Sequence, residues 1–222
     1  MNIQANLKEV LANLPASVRL VAVSKFHPCE AIESAYETGQ RIFGESKVQE
    51  LQEKYEVLPK DIEWHFIGHL QTNKVKYIVP YIALIHAVDS YKLLAEINKQ
   101  AAKVNRIIPC LLEIHIAQED SKYGFTMDTC KEMLDKGEWQ SLHNIVIAGV
   151  MGMATNTNSS TQIRHEFESL HQFYKELKEK YFHNQDTFKE ISMGMSHDYL
   201  QAIEAGSTLV RVGSHIFGER NY

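Results

Sequence analysis

The chain has 222 residues, 44% hydrophobic and 23% charged, and its 23 Lys and Arg against 28 Asp and Glu leave a formal charge of −5. That is enough apolar material for one α/β domain, and the absence of a basic tract argues against a nucleic-acid partner. No apolar stretch approaches the roughly 20 residues of a membrane span, and Cys29, Cys110 and Cys130 form neither a CxxC pair nor a disulfide framework, which suits a reducing cytosol.

Ile3, Leu7, Val10, Leu11 and Leu14 recur at helical spacing and predict an amphipathic N-terminal helix rather than a signal peptide. Leu20-Val21-Ala22-Val23 is a short apolar run with β-branched residues, read as a buried strand that ends at Ser24-Lys25. Pro28 can open a helix with Ala31, Ile32 and Ala35 on one face, stopped by Gly39. Arg41-Ile42-Phe43 is the second strand, followed by a charged helix over about residues 47–55. Trp64-His65-Phe66-Ile67 is the third, with a helix over residues 71–77. Residues 82–88 form the fourth, and Asp89-Ser90 caps a helix striped with Leu93, Leu94, Ile97, Ala101 and Val104.

Residues 107–116 form the fifth strand, then come a polar loop over 118–124 and a helix over 127–136. Residues 145–151 make the sixth strand, 155–161 a Thr/Asn/Ser-rich loop, and 163–181 a long helix. Residues 188–193 are the seventh strand, after which Ser196 can cap a helix ending at Gly206. Leu209-Val210-Arg211-Val212 is the eighth. Eight strand–helix alternations predict a parallel sheet and a single (β/α)8 TIM barrel with an N-terminal helix, residues 1–222 forming one domain. An open doubly wound sheet is the alternative. No GxGxxG or GxxxxGK[ST] motif supports a nucleotide site.

A barrel carries the residues that follow its strands to one rim, where such folds keep their chemistry. Lys25 follows the first strand, Ser46 the second, Gly68-His69 the third, Asp89 the fourth, Ser121-Lys122 the fifth and Met151-Gly152 the sixth. A partly desolvated lysine amine is a nucleophile toward carbonyls. Gly194-Met195-Ser196, leading into a helix, and Gly213-Ser214, after the last strand, offer backbone N–H groups to a phosphate. Arg211, set in an apolar strand, cannot lose its charge and needs an acceptor or partner, with Glu219 a candidate. Together these residues point to a phosphorylated aldehyde or ketone. Pyridoxal phosphate fits, as a Schiff base on Lys25, and a sugar-phosphate aldolase fits less well. His65 and His69 are four apart, but Gly68 breaks any helix between them, so no metal site is expected. His115, His197 and His215 read as hydrogen-bonded structural histidines.

On these motifs the sequence resembles the pyridoxal phosphate homeostasis proteins. The matching pieces are Val21-Ala22-Val23-Ser24-Lys25, Phe43-Gly44-Glu45, Val48-Gln49-Glu50 and Trp64-His65-Phe66-Ile67-Gly68-His69-Leu70-Gln71-Thr72-Asn73-Lys74. Further on come Val88-Asp89-Ser90, Ser121-Lys122-Tyr123-Gly124, Ser192-Met193-Gly194-Met195-Ser196, and Val210-Arg211-Val212-Gly213 with Ile216-Phe217-Gly218. The resemblance implies the barrel of the alanine racemase N-terminal domain and covalently bound pyridoxal 5'-phosphate. It places the cofactor's aldehyde on Lys25, its phosphate at Ser196 and Gly213-Ser214, and its pyridine nitrogen facing Arg211. One departure is that family members commonly read FGENY where this chain has Phe43-Gly44-Glu45-Ser46-Lys47, so Ser46 is left out of the site.

The implied function is intracellular homeostasis of vitamin B6 and, indirectly, of amino and keto acids, without catalysis. The rival is a fold-type III enzyme, an amino-acid racemase or decarboxylase. Such enzymes carry a second β domain with a catalytic tyrosine, and only residues 216–222 remain for one here, so none is expected. A cytoplasmic monomer that meets pyridoxal-phosphate-dependent apo-enzymes is the expectation.

Overall fold

A computed structural model describes residues 2–118 and 123–219 of the chain. The strands β1 (Arg19–Val23), β2 (Ile42–Glu45), β3 (Glu63–Phe66), β4 (Leu84–Val88), β5 (Ile108–Ile114), β6 (Ile145–Gly152), β7 (Glu190–Ser192) and β8 (Leu209–Val212) pair in sequence order and close into a barrel. Every pairing is parallel, and closure comes from β1 against β8, where Val21 stands beside Arg211 and Ala22 beside Val212. The expected (β/α)8 barrel is therefore the fold, and the open sheet is not. Between the strands run α2 (Cys29–Tyr36), α3 (Val48–Val57), α4 (Val75–Ile78), α5 (Tyr91–Lys103), α6 (Met127–Asp135), α7 (Ser160–Tyr181) and α8 (Tyr199–Glu204). The helix α1 (Ile3–Ala12) precedes the barrel, and the four-residue α9 (Ser214–Phe217) follows it. Ser121 and Lys122 lie outside the described residues. No helix among the described residues is long and apolar enough to cross a membrane.

Strands in a barrel are buried on both faces, which is why they read as apolar runs rather than alternating ones. Val21, Leu84, Ala87, Leu111, Ala148, Met151 and Leu209 fill the inside. Their neighbours in sequence, such as Leu20, Ala22, Ile85 and Val210, face outward to the helices. The helices answer with single stripes. In α7, Ile163, Phe167, Leu170, Phe173 and Leu177 are buried at a spacing of three or four, each worth about 1.5–3 kcal/mol of transfer free energy.

Two local differences from the sequence reading, and one irregularity of register, have plain causes. The helix expected over 71–77 is a 3-10 turn, Thr72–Lys74, running into the short α4. Thr and Asn are weak helix formers, and Pro80 stops the helix from going further. The loop expected over 155–161 gives way to α7 at Ser160, because Ser159 Oγ caps it by accepting from the Gln162 N–H. The register of β5 against β6 slips between Cys110 and Leu111, so that Ala148 is an extra residue in β6. Gly149 follows it at φ +151, and a Cβ there would stand 1.9 Å from Glu190 O, so the slip requires glycine. Beyond it, β6 delivers Gly152 to the rim.

Candidate functional site

Lys25 lies in the turn just past β1, half-buried, at the end of the barrel where the strands finish. That turn is gripped from both sides. Ser24 Oγ donates to Glu45 Oε1 at 2.7 Å, and Ser24 O accepts from Lys54 Nζ at 2.9 Å. On the other side of Lys25, the Phe26 N–H donates to Glu50 Oε1 at 2.6 Å. Phe26 itself sits at φ +66, a left-handed conformation that a bulky side chain adopts only when its surroundings impose it. Lys54 also donates to Glu45 and to Glu50, both at 2.7 Å, so the three N–H groups of its buried ammonium have three acceptors. Burial raises the Glu45 carboxyl to about 7, with Lys54 the chief opposing influence. This Glu45–Lys54–Glu50 clamp was not read from the sequence. Its one visible signal is the Glu50–Lys54 spacing on a helix read only as charged.

Arg211 points into the barrel and is 4% exposed. Its partners are Ser192 O at 2.8 Å and Ser192 Oγ at 2.6 Å from Nη1, and Gly152 O at 3.1 Å from Nη2. Glu219, the candidate partner from sequence, is exposed and makes no such contact: the guanidinium is turned inward, to carbonyls that the barrel closure and the β6 slip bring to it. Burial lowers the Arg211 pKa to about 10, against the pull of Asp198 and Glu113, so it remains a cation at neutral pH. Glu113, on β5, is itself 3% exposed, its Oε2 has no hydrogen-bond partner among the described residues, and burial raises it to about 7.

Ser196 does not cap α8. Asp198 holds the N-cap position, and its Oδ1 accepts from the Met195 N–H at 2.5 Å. Ser196 Oγ instead accepts from the Gly213 N–H at 3.2 Å and ties the loop after β7 to the loop after β8. Gly213 runs close to β1, since a Cβ there would stand 3.0 Å from Val23 O. Ser214 is exposed at the first position of α9, where first-turn N–H groups have no intrahelical acceptor. The main chain thus brings Lys25, Ser196, Arg211, Gly213 and Ser214 to one sector of the rim, around the β7, β8 and β1 ends.

Elsewhere on the rim, Ser90 caps α5 as expected, accepting from the Leu93 N–H. Asp89 pairs instead with His69, Nδ1 to Oδ2 at 3.1 Å, and His69 stacks on Tyr123. His65 is not on the rim but buried inside the barrel, bonded to His86. His86 escaped notice in the sequence, although a lone polar residue in an apolar strand is the same signal that singled out Arg211.

A closed barrel with a lysine past its first strand and a buried arginine in its last is the class represented by the alanine racemase N-terminal domain, whose family model matches residues 1–221. Within that class the chain belongs to the family of pyridoxal phosphate homeostasis proteins. It is 39% identical to the pyridoxal phosphate homeostasis protein of Aquifex aeolicus, over 92% of this chain and 88% of that protein. It is similar in structure to PipY of Synechococcus elongatus solved without PLP, with a TM-score of 0.90 and 35% identity over 97% of this chain and 100% of that one. PipY solved with PLP bound matches at a TM-score of 0.87 and 34% identity, with the same coverage.

Proposed function

We propose that this rim holds pyridoxal 5'-phosphate on Lys25 and that the protein keeps and hands on the cofactor rather than using it to turn over amino acids. The observation that carries the reading is the convergence of a clamped lysine, a serine-bridged glycine loop and an immobilised arginine on one sector of the rim. Each suits one part of the ligand. Pyridoxal phosphate supplies an aldehyde for an amine, a dianionic phosphate and a ring nitrogen that accepts a hydrogen bond. Lys25 has the amine, on a turn whose backbone is fixed before and after it. Ser196, Gly213 and Ser214 surround a place for phosphate, with a hydroxyl and first-turn N–H groups. Arg211 presents a fixed cation from the last strand.

The names of the relatives support homeostasis as the purpose, and PipY with PLP supports the ligand. Delivery to apo-enzymes and a cytoplasmic location belong to the same proposal, and the three free cysteines are in keeping with it. The phosphate cradle is tested by Ser196→Ala, which should weaken pyridoxal phosphate binding by about 1–3 kcal/mol, the usual worth of one hydrogen bond to a charged group. Pyridoxal should bind far more weakly than pyridoxal phosphate in equilibrium dialysis. Equal affinity for the two would remove the cradle.

The proposal that the protein is not an enzyme is tested by solvent deuterium exchange at Cα of L-alanine and other amino acids in the presence of the loaded protein. Exchange should stay within a few orders of magnitude of free pyridoxal phosphate. An acceleration of about 10⁶-fold or more, the lower end for enzymes, would establish a racemase-like activity instead.

A further inference from the structure

We propose that His65, His86 and Ser192 form a one-way line of hydrogen bonds through the barrel that positions Arg211 from the end opposite the rim. The line has three links, all buried. Arg211 Nη1 to Ser192 Oγ is 2.6 Å, Ser192 Oγ to His86 Nδ1 is 2.9 Å, and His86 Nε2 to His65 Nδ1 is 2.9 Å. The slip in register between β4 and β5, spanning Ile85 to Val88, lies where His86 turns inward. His65 ends the line on the wall of a cavity of about 470 Å³ at the N-terminal mouth of the barrel, beside Arg19, Lys189 and Glu190.

Counting protons fixes the direction of every link. A guanidinium only donates, so Ser192 Oγ accepts from Arg211. Ser192 is 0% exposed, and its remaining partner among the described residues is His86 Nδ1. If Nδ1 carried a proton, the buried hydroxyl proton would have no acceptor, which costs as much as a lost hydrogen bond. Ser192 therefore donates to Nδ1. A neutral His86 then carries its proton on Nε2 and gives it to His65 Nδ1, which leaves the His65 proton on Nε2. A second cation beside Arg211 in this interior is disfavoured, and burial accordingly holds both imidazoles well below their usual range, His65 at about 3.

The consequence is a fixed Arg211. Because His86 takes the hydroxyl proton, Ser192 must turn a lone pair toward the guanidinium, and Ser192 O and Gly152 O complete its seat. Without that acceptor the hydroxyl rotates and offers its proton elsewhere, and the guanidinium loses its shortest bond. His86 and His65 are thus positioning residues. Their effect on bound cofactor rests on the reading that pyridoxal phosphate occupies the rim, whereas the proton directions do not.

The first test uses ligand-free protein labelled with ¹⁵N-histidine. Both His65 and His86 should be neutral Nε2–H tautomers from pH 6 to 8. An Nδ1–H tautomer or an imidazolium at either position would overturn the line. The second uses His86→Leu, which has no acceptor, and His86→Gln, whose amide offers one acceptor and one donor. With pyridoxal phosphate bound, His86→Leu should shift the absorption band and bind about tenfold more weakly, equivalent to 1.4 kcal/mol, while His86→Gln stays near wild type. If His86→Leu fails to fold, Ser192→Ala removes the hydroxyl alone and should give the same shift. A band unmoved in His86→Leu or Ser192→Ala, or moved equally in His86→Gln, would contradict the positioning. Should wild type show no bound-cofactor band at all, the cofactor reading falls and the tautomer spectra alone decide the line.

Discussion

Lys54→Met is expected to destabilise the protein by about 3–5 kcal/mol at pH 8, the cost of removing one partner from a buried ion pair. Glu45 is fully buried, and Lys54 gives it one of its two hydrogen bonds, the other coming from Ser24. Without the ammonium, Glu45 must either stay charged with no cation beside it or take up a proton far above the usual carboxylate range, in an interior that already pushes its carboxyl up to about 7. The backbone on both sides of Lys25 would loosen as well, because Ser24 O loses its donor and Glu50 its nearest cation. The loss should shrink on acidification. A carboxyl whose folded pKa is raised contributes stability that is present below the unfolded value and lost as pH rises through the folded value. In the variant that folded value lies higher still, so the defect is smaller at pH 5 than at pH 8. Urea unfolding at the two pH values measures this, and adding Glu45→Gln should recover part of the loss. A loss under 1 kcal/mol at pH 8, or one that does not diminish toward pH 5, would show that the clamp contributes little.

Lys25→Ala should abolish covalent capture of pyridoxal phosphate and leave the fold alone. The side chain is half-buried at a strand end, where truncation usually changes stability by no more than about 0.5 kcal/mol. The clamp's bonds go to Ser24 and Phe26, on either side of Lys25, and they persist in the variant, so the turn survives. The nearby lysines are poor replacements. The three N–H groups of Lys54 are taken up by Ser24, Glu45 and Glu50, and Lys47 is exposed with its ammonium over the Phe26 ring. After incubation with pyridoxal phosphate and borohydride, the variant should show no added mass while its thermal midpoint stays near that of wild type.

The barrel was legible because each strand is short, apolar on both faces and followed by a residue with chemistry. Val21 and Ala22 illustrate this, the first filling the barrel and the second facing the helices. The rim was legible for the same reason, since a residue after a strand has only one end of a barrel to reach. What could not be read was how the side chains there are satisfied. Ser196 was expected to cap the helix next to it, but its acceptor serves a backbone N–H 17 residues away. Arg211 was matched to a carboxylate eight positions on, but its seat is made of Ser192 and Gly152, which only strand register and the extra residue in β6 bring near. Lys54 reads in the sequence only as part of a charged helix, and only the placement of α3 over the end of β2 buries it against Glu45. Local spacing carries the elements, whereas these contacts depend on closure of the whole barrel.

The most direct measurement of the central claim is to load wild-type protein with pyridoxal phosphate, reduce it with borohydride and map the modified peptide. A single pyridoxyl group on Lys25 is the predicted result. A label on Lys47, Lys122 or any other lysine with Lys25 unmodified, or no label at all, would contradict it.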